Sequence, residues 1–114
     1  MVTMRRGDVF WTRFDPVEGS ELAGLRPALV IQNDAGNAHS GTTIIAGITT
    51  RFARKVYPMI APLPEGALPR LSAVNCAQIR TVDKARLQGG PIAHLDAPAM
   101  GAVDDAIRAS LGLR

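Results

Sequence analysis

The sequence predicts a mainly β fold, a small and partly open β-barrel of five or so short strands with a helix packed on it, and three observations predict it. Runs rich in β-branched and aromatic residues recur at Gly7 to Phe14, Ala28 to Ile31, Thr42 to Thr50, Tyr57 to Leu63 and Ser72 to Ile79. Turn formers separate them, with 11 Gly and 8 Pro in 114 residues. The chain then closes on a helical period, with Met100, Val103, Ile107 and Leu111 recurring at three- and four-residue steps.

The elements follow in order. In G-D-V-F-W-T-R-F, alternation puts Val9, Trp11 and Arg13 on one face and Phe10, Thr12 and Phe14 on the other, which reads as a strand buried more fully on its Phe10 side. Turn formers from Asp15 to Gly24 make a loop, and the apolar run Ala28 to Ile31 makes a buried strand. N-D-A-G-N-A-H-S-G, from Asn33 to Gly41, reads as a loop because its glycines and asparagines tolerate positive φ. In the third strand Gly47 permits a bend. Pro58 and Pro62 confine the fourth strand to a sheet edge or a bulge. After the fifth strand a short helical turn is expected around Lys84 to Leu87; Gly89, Gly90 and Pro91 break it, and Ile92 to Leu95 return briefly to the sheet. Asp96 caps the final helix, Pro98 sits in its first turn and Gly112 stops it.

Length and composition narrow the function. One domain, 1–114, suits this length. A hydrophobic fraction of 46% with 20% charged residues is that of a soluble globular chain, and the net charge of +3 favours an anionic partner. Cys76, the single cysteine, excludes a disulfide framework and reads as a small core residue in an apolar run. No apolar run approaches the roughly 18 residues a membrane span requires, so a cytoplasmic protein without membrane association is expected. Glycine-rich phosphate loops and Cys/His ligand spacings are absent, and neither a metal nor another cofactor is expected. His39 and His94 have no partner at useful spacing and read as surface or structural groups.

Carboxylate, guanidinium and hydroxyl groups remain, namely Glu21, Arg26, Ser20, Thr49 and the nearby Asn33. Pro27 biases Arg26 toward an extended backbone, which presents its guanidinium from the lip of a strand. Such a set suits RNA cleavage, because RNA carries its own nucleophile in the 2′-hydroxyl. The protein need only help that hydroxyl lose a proton and bind the charge developing on the phosphorane. Arginine's planar, permanently charged fork matches phosphate oxygens.

At these residues the chain resembles the MazF/PemK family of toxin endoribonucleases from type II toxin–antitoxin systems. The resemblance is carried by R-R-G-D-V at Arg5 to Val9, D-P-V-E-G-S-E at Asp15 to Glu21, G-L-R-P at Gly24 to Pro27 and V-I-Q-N-D-A-G-N at Val30 to Asn37. It continues through I-T at Ile48 and Thr49, Q-I-R-T-V-D-K-A-R-L at Gln78 to Leu87, and S-L-G-L near the end. The resemblance implies a homodimeric SH3-like barrel of five to seven short strands with a C-terminal amphipathic helix and one or two short helical turns. It implies metal-independent, sequence-specific cleavage of single-stranded RNA to 2′,3′-cyclic phosphate and 5′-hydroxyl ends, and an antitoxin whose acidic tail occupies the same groove. Carried over residue by residue, Arg26 stabilises the phosphate and can also act as general acid or base, Thr49 holds the phosphate, and Glu21 is a base or a substrate contact. Ser20, Asn33, Thr50, Gln78 and Arg6 fall at RNA-contacting positions. The family's usual amide is replaced by Leu22 and its usual glutamate by Ala77, departures that bear on the RNA sequence recognised. Two non-nuclease alternatives use a similar barrel: a toxin that binds DNA gyrase, whose contacts would lie at the C-terminal helix, and a single-strand-binding barrel. The second would need several exposed stacking aromatics among Phe10, Trp11, Phe14, Phe52 and Tyr57.

Overall fold

Strands β1 (Asp8–Phe14), β2 (Gly24–Val30), β3 (Thr42–Thr49), β4 (Ile60–Pro62), β5 (Ala73–Asp83) and β6 (Leu87–His94) form one antiparallel sheet in the order β4-β5-β3-β2-β1-β6. Helix α1 (Asp34–His39) joins β2 to β3, and helix α2 (Ala97–Leu111) follows β6. The computed structural model describes residues 3–14, 24–52 and 57–113. Ser20, Glu21 and Leu22 lie outside the described residues.

The alternation along β1 sorts the core. Phe10 and Phe14 join Ala28, Val30, Ile45, Val82 and Leu87 on one face of the sheet. Val9 joins Leu29, Ala46, Ile48 and Val74 on the other, where Val103 and Ala106 of α2 cover them. The central strands are therefore buried on both faces, and continuous apolar runs such as Ala28 to Val30 satisfy both. Trp11 and Arg13 stay exposed while Phe10, Thr12 and Phe14 are buried, as the sequence pattern predicts. Gly47 also marks an irregularity: Ala46 pairs with Ile79 but Gly47 pairs with Asn75, so β5 bulges between those partners. Cys76 is buried, and the cost of desolvating a thiolate, with a smaller contribution from Asp104, pushes its thiol up to about 11.

In α2, Asp96 accepts a hydrogen bond from the Ala99 N–H at 2.9 Å, and Gly112 ends the helix at φ 71. The left-handed conformation there costs glycine nothing. The apolar stripe is offset from the expected one. Val103 and Ala106 are its buried centre, Met100 and Ile107 pack against its edge, and Leu111 is 57% exposed.

The structure corrects five expectations. The segment after Gln32 is not a loop, because the Asn33 side chain accepts from the Gly36 N–H at 2.8 Å and caps α1. Strand β2 begins at Gly24 rather than Ala28, so Arg26 lies within a strand. Strand β4 is shorter than Tyr57 to Leu63, although it does occupy a sheet edge as its prolines require. Strand β6 runs through Gly89, Gly90 and Pro91, and its place at the other edge tolerates a residue without an N–H. His94 does have a partner: its Nδ1 lies 2.7 Å from Oδ1 of the buried Asp8.

Candidate active site

Arg26 pairs with Thr12 across the β1–β2 ladder, and directly opposed residues carry their side chains on the same face. Thr12 is fully buried, whereas Arg26 is exposed. The β2–β3 ladder pairs Ala28 with Gly47, and continuing that register sets Arg26 opposite Thr49. Arg26 and Thr49 thus share the Phe10 face of the sheet, at the end where β2 begins and β3 stops. The Thr49 hydroxyl accepts from the Arg51 N–H at 3.0 Å and donates to the Arg51 carbonyl at 3.1 Å, which holds it at the strand end.

Next to this end, on the opposite face, Trp11, Pro27, Ile48 and Leu68 line a cavity of about 600 Å³ whose border includes Arg26, Thr50 and Arg70. Trp11 is 43% exposed, Leu25 50% and Ile92 44%, so apolar surface is presented to solvent around a basic rim.

The predicted site residues that are described fall in three places. Arg26, Thr49 and Thr50 come together at one end of β2 and β3. Gln78 lies on β5 within the bulge, half-buried. Asn33 and Arg6 are engaged elsewhere. Asn33 caps α1, while Arg6 donates through Nε to the Ile31 carbonyl at 2.8 Å and through Nη2 to Asp104 Oδ1 at 2.6 Å. The Arg6 N–H also donates to Asp34 Oδ1 at 2.7 Å. That bond, ahead of one from the Asn37 amide, holds the Asp34 carboxyl below its ordinary range.

One residue not anticipated as functional stands out. The Arg80 guanidinium lies over the Phe14 ring, 5.4 Å from its centroid, and its buried Nη1 has no hydrogen-bond partner among the described residues. The signal available in the sequence was its place in Q-I-R-T, beside Gln78.

A six-stranded antiparallel sheet followed by a C-terminal helix, with a cationic strand end and an apolar cavity beside it, makes this a small mainly β domain. Residues 5–111 match the family described as PemK-like, MazF-like toxin of type II toxin-antitoxin system, and the chain belongs to that family. It is 43% identical over 112 residues to Endoribonuclease EndoA of Bacillus subtilis (strain 168), covering 96% of each chain. It is 42% identical over 112 residues to Endoribonuclease MazF of Staphylococcus saprophyticus, covering 96% of this chain and 92% of the relative. Among solved structures it is similar to MazF from Deinococcus radiodurans, with a TM-score of 0.83 at 26% identity over 99% of this chain and all of that one (100%). It is also similar to a chain of the MazE-MazF complex from the same organism, with a TM-score of 0.79 at 26% identity over 100% of both chains. The mainly β architecture with its C-terminal helix is the fold of these toxins.

Proposed function

We propose that this protein is a toxin endoribonuclease that cleaves single-stranded RNA by attack of the substrate's own 2′-hydroxyl, leaving 2′,3′-cyclic phosphate and 5′-hydroxyl ends. The observation that carries this reading is the shared position of Arg26 and Thr49 on one face at adjoining strand ends. In the proposed step the Arg26 guanidinium binds the equatorial oxygens as charge builds on the phosphorane, and the Thr49 hydroxyl gives up its bond to the Arg51 carbonyl to donate to the same phosphate. Glu21 takes the 2′-proton or contacts the substrate, its sequence neighbour Ser20 is a further contact, and the P–O5′ bond breaks as the departing oxygen takes a proton from Arg26 or water. Thr50 and Gln78 contact neighbouring nucleotides, Asn33 is a further expected contact whose cap bond would have to exchange for RNA, and Arg6, whose donors bond Ile31 and Asp104, supports the fold rather than the RNA. No step calls on a metal, because RNA supplies the nucleophile and arginine supplies the charge.

The proposed partners are a second copy of the chain and an antitoxin with an acidic tail. Exposed Trp11, Leu25 and Ile92 favour a protein surface there, and Arg26 and Arg70 complement acidic side chains. Complexes of MazF with MazE among similar structures support an antitoxin partner. Among the described residues no helix is long and apolar enough to cross a membrane. We place the protein in the cytoplasm, where its RNA would be.

The test is Arg26→Ala. Cleavage should fall at least about 10²-fold, and an unfolding curve read alongside shows that the variant is folded. Unchanged cleavage by a folded variant would remove Arg26 from the mechanism.

A further inference from the structure

We propose that Arg80 is a second phosphate-binding residue of the RNA groove, gripping a phosphodiester next to the one that is cleaved. The inference rests on the nuclease reading above and names a residue that reading does not use.

Three observations carry it. Arg80 pairs with Ile45, so its side chain emerges on the face that also holds Val30, Phe10 and Phe14. On that face Phe14 pairs with Gly24, which makes Arg26 its diagonal neighbour at a separation of about 7–8 Å in such ladders. The Phe14 ring therefore lies between two guanidinium-bearing residues, one beside it and one above it. Second, the ring face holds the Arg80 guanidinium at 5.4 Å without using any of its N–H groups. Third, Nη1 is buried without a partner, and Arg80 takes part in no ion pair among the described residues.

A desolvated charged donor left unpaired is costly, and native proteins rarely keep one without a use. Asp83, the acid nearest to Arg80 in sequence, does not neutralise it, because its carboxylate accepts from the Ala85 N–H instead. Nη1 itself is closed to solvent, so a phosphodiester oxygen would be gripped by the guanidinium's other N–H groups and would supply the compensating charge. Ordering on an aromatic face also removes much of the side-chain entropy that a long cation otherwise loses on binding. Arg26 and Arg80, on either side of Phe14, then bracket the backbone of one bound strand.

The experiment uses the full chain and a short 2′-O-methyl RNA strand, which carries phosphates but no free nucleophile. Affinity is measured against salt for wild type, Arg80→Gln and Arg80→Lys, alongside steady-state cleavage of unmodified RNA. For Arg80→Gln, affinity should fall about tenfold and the slope of log K against log salt should drop by about 0.7, the value for one lost contact to a single strand. KM should rise with kcat unchanged, and Arg80→Lys should recover the slope. The Arg80 Nε–Hε NMR signal of wild type should move on titration with the same strand, a readout that needs no variant to fold. A lowered melting temperature with an unchanged salt slope would make Arg80 a structural brace and overturn the proposal, as would an unmoved NMR signal. If wild type cleaves RNA while Arg80→Gln binds and cleaves identically, this proposal alone falls. If wild type neither binds nor cleaves, it falls together with the nuclease reading.

Discussion

Replacing Arg6 with alanine should cost stability rather than RNA affinity, and the structure sets the size of the loss. The side chain makes two bonds that alanine cannot, to the Ile31 carbonyl at 2.8 Å and to Asp104 at 2.6 Å, and so ties the end of β2 to helix α2. The Asp104 pair is partly solvated, with side-chain exposures of 30% and 37%, and is worth about 0.2–1 kcal/mol. The bond from a charged donor to the half-buried Ile31 carbonyl contributes about 1.5–3 kcal/mol. Together these give a loss of about 2–4 kcal/mol, or roughly 8–16 °C in melting temperature for a domain of this size. Asp104→Ala should cost only the smaller part, and the double variant little more than Arg6→Ala alone. Thermal and urea unfolding read the loss, and cleavage kinetics well below the lowered midpoint read the function. A midpoint unmoved by Arg6→Ala, combined with a raised KM, would show that these two bonds do not brace the fold and would return Arg6 to the RNA groove.

Three other measurements probe the frame of the fold. Asp96→Ala removes the acceptor for the Ala99 N–H and should destabilise by about 1 kcal/mol in chemical unfolding; no change would mean that the cap does not limit α2. Cys76 is buried with its thiol raised to about 11, so in the native protein it should resist a thiol reagent at mildly alkaline pH and react fully once unfolded; rapid native labelling would contradict its burial. The Asp34 carboxyl is held below its ordinary 3.8, so the stability it contributes is complete above that value and is lost as pH falls through the lower folded one. Asp34→Asn should therefore lower the melting temperature near neutral pH, with the gap to wild type closing in strong acid, and a gap independent of pH would exclude this linkage.

Much of the fold was legible because the core strands combine β-branched residues with turn chemistry between them, and α2 carries a cap at each end. What escaped has local causes. Asn33, Asp34, Gly36 and Asn37 are turn formers by type, yet Asn33 serves as a cap and Asn37 is buried, donating to the Gln32 carbonyl at 3.0 Å and accepting from Thr43 at 2.7 Å. Gly89, Gly90 and Pro91 disfavour a strand by propensity, but an edge position that asks little of their N–H groups overrides it. The Asp8–His94 bond joins residues at opposite ends of the chain through the β1–β6 pairing, so no spacing rule could find it. The candidate pair Arg26 and Thr49 came from the resemblance, and the β2–β3 register sets them opposite each other, whereas the stacking of Arg80 on Phe14 depends on how the sheet curls. Arg6 shows the converse, a cation beside the right motif whose donors are spent on Ile31 and Asp104.

The most direct test of the central claim is to map the ends of RNA fragments released by the purified wild-type protein in the presence of EDTA. Cuts are expected at a recurring short sequence, each leaving a 2′,3′-cyclic phosphate and a 5′-hydroxyl. Fragments ending in 5′-phosphate, or cleavage that appears only when a divalent cation is restored, would contradict it.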